Sequence, residues 1–324
     1  MTPAAWYRSA RLAAGAFFMA ASLGGCASLV PQTMALRNAW PQGVPGRTEM
    51  PEVPFFSQDD YQCGPSALAT ALVNSGVNVT PEELVSKVYI PERQGSLQAE
   101  MLAAPRPYGR VSYKLEPRFD DLIREVAAGN PVVILQNTSP AVFDNWHYAV
   151  VVGYDYPAGE LYMRSGQTKR EAMPFTILEY TWKKSNYWAM VSMPPDRIPV
   201  TAAEATYLAA IAAMERVSDK RAALVAYSAA LERWPDSLGA SIGLANLHYA
   251  QGNLKETEAV LRRAAEHHPD SAVVMNNLAQ TLSDEGRDAE ALTFIERAGQ
   301  ADKQYAAAVA ETRTLILQRL QKTQ

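Results

Sequence analysis

The pattern of apolar and polar positions changes once along the chain. From Pro51 to about Pro194, short helical patterns precede apolar runs that are typical of buried strands. Beyond this point, Ala, Leu and Glu recur at helical spacing. The proline-rich segment 193–199 separates the two patterns. The sequence therefore predicts an α+β domain over residues 51–195 and an all-α domain over residues 200–322.

After the segment that follows Cys63, the first half is predicted to contain three more helices and then strands. Thr80 begins a capping box with Glu83, and Pro81 occupies the first helical position. Two further helices are predicted over 96–101 and 119–128. Strands are predicted over 131–136, 146–154, 161–164 and 187–192. Helices first and antiparallel strands after them are typical of an α+β fold.

The second half contains an internal repeat. The segment Trp-Pro-Asp-Ser at 234–237 recurs as His-Pro-Asp-Ser at 268–271, a shift of 34 residues. Small and large apolar positions recur at the same step, and this pattern resembles the tetratricopeptide repeat. Three repeats and a final capping helix over 304–321 are predicted. The repeats are expected to begin near Glu204, Leu238 and Ala272.

Stacked repeats of this kind leave a concave groove that suits a peptide or protein partner. Polar side chains on the first helix of each repeat can contact a peptide backbone. We therefore expect partner binding at Tyr207, Asn246, Asn276 and Asn277. The alternative is that the helical half is only a structural spacer.

Cys63 has the setting of a catalytic nucleophile. It precedes the Ala/Leu-rich segment Pro65–Val73, which is predicted to be a helix. The free N–H groups at a helix N-terminus stabilise a thiolate, so we expect a lowered thiol pKa. The alternative is an inert buried cysteine, because such cysteines are common in protein cores.

His147 is the histidine best placed to serve as the base. It begins an apolar run, Trp146–Asp155, that is typical of a buried strand, whereas the other three histidines lie in the helical half. A histidine in this place could simply be a core residue. A cysteine at a helix start together with a histidine on a later strand favours nucleophilic catalysis.

The segments around both residues resemble a known family. Gln-x4-Cys-Gly-Pro-Ser-Ala-Leu followed by His-Tyr-Ala-Val-Val-Val-Gly-Tyr is similar to the bacteriocin-processing, double-glycine type of papain-like cysteine peptidase. The resemblance implies a papain-like fold and places Gln58 in the oxyanion hole, with Gln62 as the less favoured substitute. It also puts Ser165 where the family has Asp or Asn to orient the histidine. This departure from the family weakens the expectation of peptidase activity. It affects the expectation of a papain-like fold much less.

The N-terminus resembles a bacterial lipoprotein signal. A charged start and a short apolar stretch end in Leu-Gly-Gly-Cys at Cys26. We expect residues 1–25 to be removed, Cys26 to be lipidated, and residues 26–50 to form a tether. Because no aspartate follows Cys26, the resemblance favours the outer membrane, with the protein facing the periplasm.

Composition narrows the remaining possibilities. The net charge is −4 without a basic cluster, which argues against a nucleic-acid partner. No phosphate-binding loop or metal-ligand motif occurs, so neither a metal nor a cofactor is predicted. The expected function is a membrane-anchored cysteine peptidase that acts on a peptide or protein. The alternatives are a catalytically weak or inactive module of the cell envelope that binds a peptide or protein, and an acyl or peptidyl transferase.

Overall fold

The computed structural model describes residues 29–57, 62–139, 144–301 and 303–323. These residues form two compact units. The first takes the described chain up to Ala104, residues 114–192 and residues 199–201. The second takes residues 105–113, 193–198 and the chain from 202 onward. No helix within the described segments combines the length and apolar character that crossing a bilayer requires.

Helices and strands alternate along the first half of the chain. The helices are α1 Pro31–Asn38, α2 Cys63–Asn74, α3 Pro81–Val88, α4 Gln98–Ala103, α5 Phe119–Ala127 and α6 Phe175–Trp182. The strands are β1 Arg47–Glu49, β2 Tyr89–Ile90, β3 Gly95–Ser96, β4 Val111–Lys114, β5 Val132–Asn137, β6 Trp146–Asp155, β7 Glu160–Ser165, β8 Thr168–Pro174 and β9 Ala189–Met193. Strands β2 and β3 form a separate hairpin.

The main sheet of the first unit is antiparallel and has β6 near its middle. Its order runs β9-β5-β6-β7-β8, and β1 pairs with one end of β6. All six residues of β5 are buried, as are residues 148–154 of β6, which explains why both strands are continuous apolar runs in the sequence. Strand β8 was not predicted. It stands last in this order, and its mostly exposed, polar residues give no apolar signal.

The segment predicted to be a tether is largely folded. Residues 26–50 include α1 and β1, and β1 pairs with β6. Trp40 stacks on Tyr156 with the ring centroids 4.2 Å apart. At Gly153 the backbones of β6 and β1 approach so closely that a Cβ there would lie 2.6 Å from the carbonyl oxygen of Thr48. The expectation of a tether is therefore wrong from Pro31 onward, because this segment completes the sheet.

Side-chain hydrogen bonds account for two helix starts in the first unit, one from a local partner and one from a distant one. The capping box is confirmed, because Thr80 accepts a hydrogen bond from the Glu83 N–H and Glu83 accepts one from the Thr80 N–H. At the start of α1, the N–H groups of Gln32 and Thr33 donate to the buried carboxylate of Glu179 at 2.9 and 2.6 Å. A buried carboxylate at a helix N-terminus accepts hydrogen bonds from the free N–H groups, and its negative charge interacts favourably with the positive end of the helix dipole.

The second unit contains three helix pairs and a final helix. They are α7 Glu204–Glu215, α8 Lys220–Arg233, α9 Leu238–Ala250, α10 Leu254–His267, α11 Ala272–Asp284, α12 Asp288–Gln300 and α13 Ala306–Thr323. The predicted repeat starts at Glu204, Leu238 and Ala272 are confirmed to the residue. Small residues allow close helix contact. At Gly243, for example, a Cβ would lie 2.5 Å from the Tyr227 ring.

Candidate active site

The candidate nucleophile lies at the start of α2. Cys63 is the first residue of this helix, which packs against β6. The N–H groups of the first turn have no acceptor within a helix, so they surround the thiol with donors. The next residue must be a glycine, because a Cβ at Gly64 would lie 2.6 Å from the Cβ of Ser96. The β2–β3 hairpin therefore closes over the first turn of α2.

The thiol does not have the lowered pKa that the helix position predicts. Burial raises the pKa of Cys63, and this is the largest effect on the group. Hydrogen bonds from the backbone of Tyr148, Gly64 and Cys63 itself act in the opposite direction and are weaker. The expectation of a lowered pKa is wrong because it counted the helix donors and not the loss of water around the sulfur.

His147 and Ser165 meet at the ends of neighbouring strands. His147 is the second residue of β6, and Ser165 is the last residue of β7. The His147 Nε2 atom and the Ser165 Oγ atom are 3.0 Å apart. Gly166, at φ +55°, allows a tight turn between Ser165 and Thr168, which pair across β7 and β8. The sheet ladder thus holds the hydroxyl against the imidazole, whereas the catalytic role of Ser165 stays a prediction.

The imidazole of His147 is held in its neutral form. Burial lowers the pKa of His147, and the carboxylate of Glu171 opposes this shift as the weaker effect. A neutral imidazole carries one N–H. If Nε2 donates that hydrogen to Ser165, the Nδ1 lone pair is free to act as a base. The serine oxygen holds the ring without supplying the negative charge that a carboxylate would.

Cys63 and His147 line the same cavity. Its volume is about 1190 Å³, and it is large enough for several residues of a peptide. The β2–β3 hairpin, the start of β6 and the segment after α6 form its walls. Polar and charged lining residues include Arg93, Gln94, Gln98, Asp144, Asn145, Gln167 and Lys184, and the apolar ones include Leu97, Leu135 and Trp146.

Two of the predicted site residues lie outside the described segments. These are Gln58, expected in the oxyanion hole, and Cys26, expected to carry lipid. The backbone N–H of Cys63 is at a helix start, where the N–H groups lack intrahelical acceptors. In the resting site this N–H bonds to the Cys63 sulfur, so its donation to an oxyanion is a prediction, as are the roles of Gln58 and Cys26.

Sequence reasoning missed the residues that enclose the thiol. The Tyr148 hydroxyl donates to the Ser96 carbonyl at 3.2 Å, and burial raises the pKa of Tyr148, with smaller contributions from Cys63 and Glu100. The Ser96 hydroxyl is buried without a hydrogen-bond partner. The place of Tyr148 directly after His147 was the available signal. Nothing in the sequence linked Ser96 to the cysteine.

The predicted partner-binding residues of the second unit have different surroundings. Tyr207 is wrong as a groove residue, because its side chain is fully buried and its ring packs against Trp234 with centroids 5.9 Å apart. Asn246 is exposed. Asn276 and Asn277 are partly buried and share a hydrogen bond of 3.3 Å. None of the four lines the 460 Å³ cavity of this unit, which lies among α8, α9 and α10.

The described residues do not contain a cluster of metal ligands. Across the described residues, no group of three or more His, Cys, Asp or Glu side chains is placed to hold a metal ion.

Comparisons with known proteins agree with this division of the chain. Residues 50–190 match the model of the peptidase C39-like family. Residues 218–274 and 249–314 match the tetratricopeptide repeat. A search of curated proteins finds no match.

Solved structures similar to the chain include two peptidases. One is a C39-like peptidase from Bacillus anthracis, with 19% identity and a TM-score of 0.39 over 45% of this chain and 97% of that one. Another is a double-glycine-motif protease from an AMS/PCAT transporter in complex with the leader peptide, with 20% identity and a TM-score of 0.35 over 44% and 93%. A third is YrrB, a TPR protein with an unusual peptide-binding site, with 18% identity and a TM-score of 0.31. This chain spans 59% of its length, and the match covers 38% of this chain.

The fold and the family matches agree on the nature of the two halves of the chain. The chain has an α+β domain with a cysteine peptidase-like fold, followed by an all-helical region of repeats. In family terms, these are a C39-like peptidase domain and a tetratricopeptide-repeat region.

Proposed function

We propose that the protein is a membrane-anchored periplasmic cysteine peptidase. Cys63 attacks a peptide carbonyl, and His147 transfers the proton. The observation that carries this proposal is that both residues line one 1190 Å³ cavity, with the His147 ring held by Ser165. A nucleophile, a base and an orienting group in one cleft are the requirements for acyl transfer.

The reaction proceeds through a thioester. The Cys63 thiol gives its proton to Nδ1 of His147 as the sulfur bonds to the carbonyl carbon. The Cys63 N–H, with Gln58 as its predicted companion, holds the oxyanion. The amine then leaves with the proton from His147. Water attacks the thioester, which releases a carboxylic acid and restores the thiol.

The resting site differs from a preformed thiolate–imidazolium pair. Burial raises the pKa of the Cys63 thiol and lowers that of the His147 imidazole, so both groups are neutral near pH 7. Charge separation therefore occurs during the attack on the substrate, when the developing oxyanion can stabilise it. This arrangement predicts slow reaction with simple alkylating reagents and faster reaction with a bound acyl substrate.

A catalytically inactive binding module is the second candidate. It is favoured by the raised pKa of the Cys63 thiol and by a hydroxyl, rather than a carboxylate, bonded to His147. Acyl or peptidyl transfer to an amine uses the same thioester and differs only in the acceptor. The repeats of the second unit are proposed to bind a peptide or protein partner. Lipid on Cys26 is proposed to hold the protein at the outer membrane.

Peptide turnover by matched variants tests the proposal. Peptides from a casein digest are incubated with the wild type, Cys63→Ala, His147→Ala and the control His248→Ala, and new termini are identified by mass spectrometry. We expect products from the wild type and the control only. Adding hydroxylamine captures the thioester as a hydroxamate and so tests for the intermediate itself. Without hydroxylamine, hydrolysis yields free acids, whereas transfer yields new amide bonds between peptides. Equal products from Cys63→Ala would refute catalysis at this cysteine, and binding without products would support the binding module.

A further inference from the structure

The outward side of α6 and the start of the described chain form one surface. Ile177 and Tyr180 are 51% and 40% exposed, and Leu29 is 49% exposed. Ile177 and Tyr180 are three residues apart, so they lie on the same side of α6. Together with Lys183 and Lys184 they make up a surface that we call the α6 face.

Direct contacts join the members of the α6 face. The Lys183 ammonium donates to the Leu29 carbonyl at 2.7 Å, which fixes the start of the described chain to this surface. The Nζ atoms of Lys183 and Lys184 lie 5.1 and 5.0 Å from the centroid of the Tyr180 ring. The Lys184 ammonium also donates to the carbonyls of Ser139 and Asn137 at 2.6 and 3.3 Å, which leaves one of its three N–H groups for a further acceptor. An aromatic ring with two ammonium groups beside exposed aliphatic side chains combines apolar and cationic character.

The one acidic residue of α6 does not reduce this positive charge. Glu179 is fully buried, and its carboxylate accepts hydrogen bonds from the N–H groups of Gln32 and Thr33. Within α6, the exposed side therefore presents apolar and aromatic groups, and the two lysines that follow the helix supply positive charge.

The position of the anchor limits the distance of this surface from the bilayer. This step rests on the proposed lipidation of Cys26. Only residues 27 and 28 separate Cys26 from Leu29. Three residue steps span at most about 11 Å. Because α1 and β1 are folded into the first unit, the chain offers no longer tether from Pro31 onward, and the surface around Leu29 must remain close to the lipid headgroups.

We propose that the α6 face lies on the membrane surface. Leu29, Ile177 and Tyr180 enter the boundary between headgroups and acyl chains, and the ammonium groups of Lys183 and Lys184 bind anionic lipid headgroups. Aromatic rings and lysines favour this interfacial zone because each has an apolar part and a polar end. Lys184 also lines the Cys63 cavity, so the cavity adjoins this face.

Vesicle binding tests the surface independently of the lipid anchor. The mature chain, residues 26–324, carries Cys26→Ser so that acylation is removed and all described residues remain. It is sedimented with vesicles of phosphatidylcholine alone, or of equal parts phosphatidylcholine and phosphatidylglycerol, at low salt. We expect binding to the phosphatidylglycerol vesicles that weakens as salt is added.

Matched variants identify the contact. Ile177→Ser with Tyr180→Ser should weaken vesicle binding by about tenfold or more, because two apolar side chains no longer leave water. Val217→Ser with Val225→Ser removes side chains that are 56% and 42% exposed in the second unit and should bind as the unchanged chain does. An unchanged melting temperature excludes unfolding as the cause.

The proposal is overturned if the Cys26→Ser chain does not bind vesicles. It is also overturned if the Ile177→Ser, Tyr180→Ser variant still binds them as tightly. The third such outcome is that this variant loses a co-purifying protein while its vesicle binding is unchanged. The anchor has a separate test. A palmitate analogue should label the full-length chain and not its Cys26→Ser variant. Absence of label would refute the anchor and, with it, the distance argument, whereas the vesicle result decides the surface.

Discussion

Replacing Ser165 tests how the candidate base is held. The His147–Ser165 hydrogen bond is 3.0 Å long and joins two neutral groups. Such a bond contributes about 1 kcal/mol, which corresponds to about a fivefold change in rate. Ser165→Ala should therefore lower kcat/KM by about fivefold, and by more if the buried Nε2–H is left without an acceptor.

Ser165→Asp makes the opposite change at the same position, because it adds a negative charge beside the His147 ring. A carboxylate beside the ring favours imidazolium, so it should raise the pKa of His147 against the lowering effect of burial. Activity that requires a neutral imidazole is lost as the pH falls through this pKa. In a plot of turnover against pH, the fall in activity on the acid side should therefore lie below the ordinary histidine pKa in the wild type. It should move to higher pH in Ser165→Asp.

The assay is ester or peptide turnover as a function of pH, together with NMR titration of the His147 ring. Circular dichroism and the melting temperature show whether each variant folds. The reasoning would be refuted if Ser165→Ala kept the wild-type rate and Ser165→Asp left the titration of His147 unchanged. That result would show that Ser165 lies near the ring without orienting it.

Three further outcomes are expected. Gly153→Ala should destabilise the first unit by about 1–3 kcal/mol in urea unfolding, because its Cβ would meet the Thr48 carbonyl at 2.6 Å. Gly243→Ala should lower the free energy of unfolding of the second unit by a similar amount, since its Cβ would lie 2.5 Å from the Tyr227 ring. Adding Tyr227→Leu to Gly243→Ala should restore part of that free energy. Because burial raises the pKa of Cys63, its iodoacetamide alkylation should keep accelerating above the pH at which a free thiol levels off; a plateau near neutral pH would contradict this.

The repeats were the most predictable part of the fold. A period of 34 residues fixes where each helix begins, and all three predicted starts agree with the structure. Which side chains face outward was less predictable. Tyr207 occupies a position expected in the groove, but it is buried against Trp234, because a large ring gains more from packing than from exposure.

Short and polar elements of the first unit left little signal. Strand β1 has three residues, and β8 consists mainly of exposed polar ones, so neither shows an apolar run. The segment before Pro51 was predicted to be a tether because it is rich in Pro, Gly and polar residues. Its fold depends on partners more than a hundred residues away, such as Glu179 for the N–H groups that start α1.

The residues of the candidate site could be predicted from the sequence, but the direction of the pKa shift at Cys63 could not. The motifs located Cys63, His147 and Ser165, and the last two share a hydrogen bond. The sign of the pKa shift at Cys63 could not be read from its helix position. It depends on the desolvation of the sulfur, and the sequence offered no indication that Ser96 would pack against the first turn of α2.

Cys63 is proposed to form a thioester with the help of His147. The most direct measurement is the pre-steady-state release of p-nitrophenol from acetyl-glycyl-glycine p-nitrophenyl ester. We expect acylation of Cys63 to give a burst that matches the enzyme concentration and a mass increase on Cys63, with no burst in Cys63→Ala and a much slower burst in His147→Ala. Release at the same rate in all three proteins, without a mass change on Cys63, would contradict it.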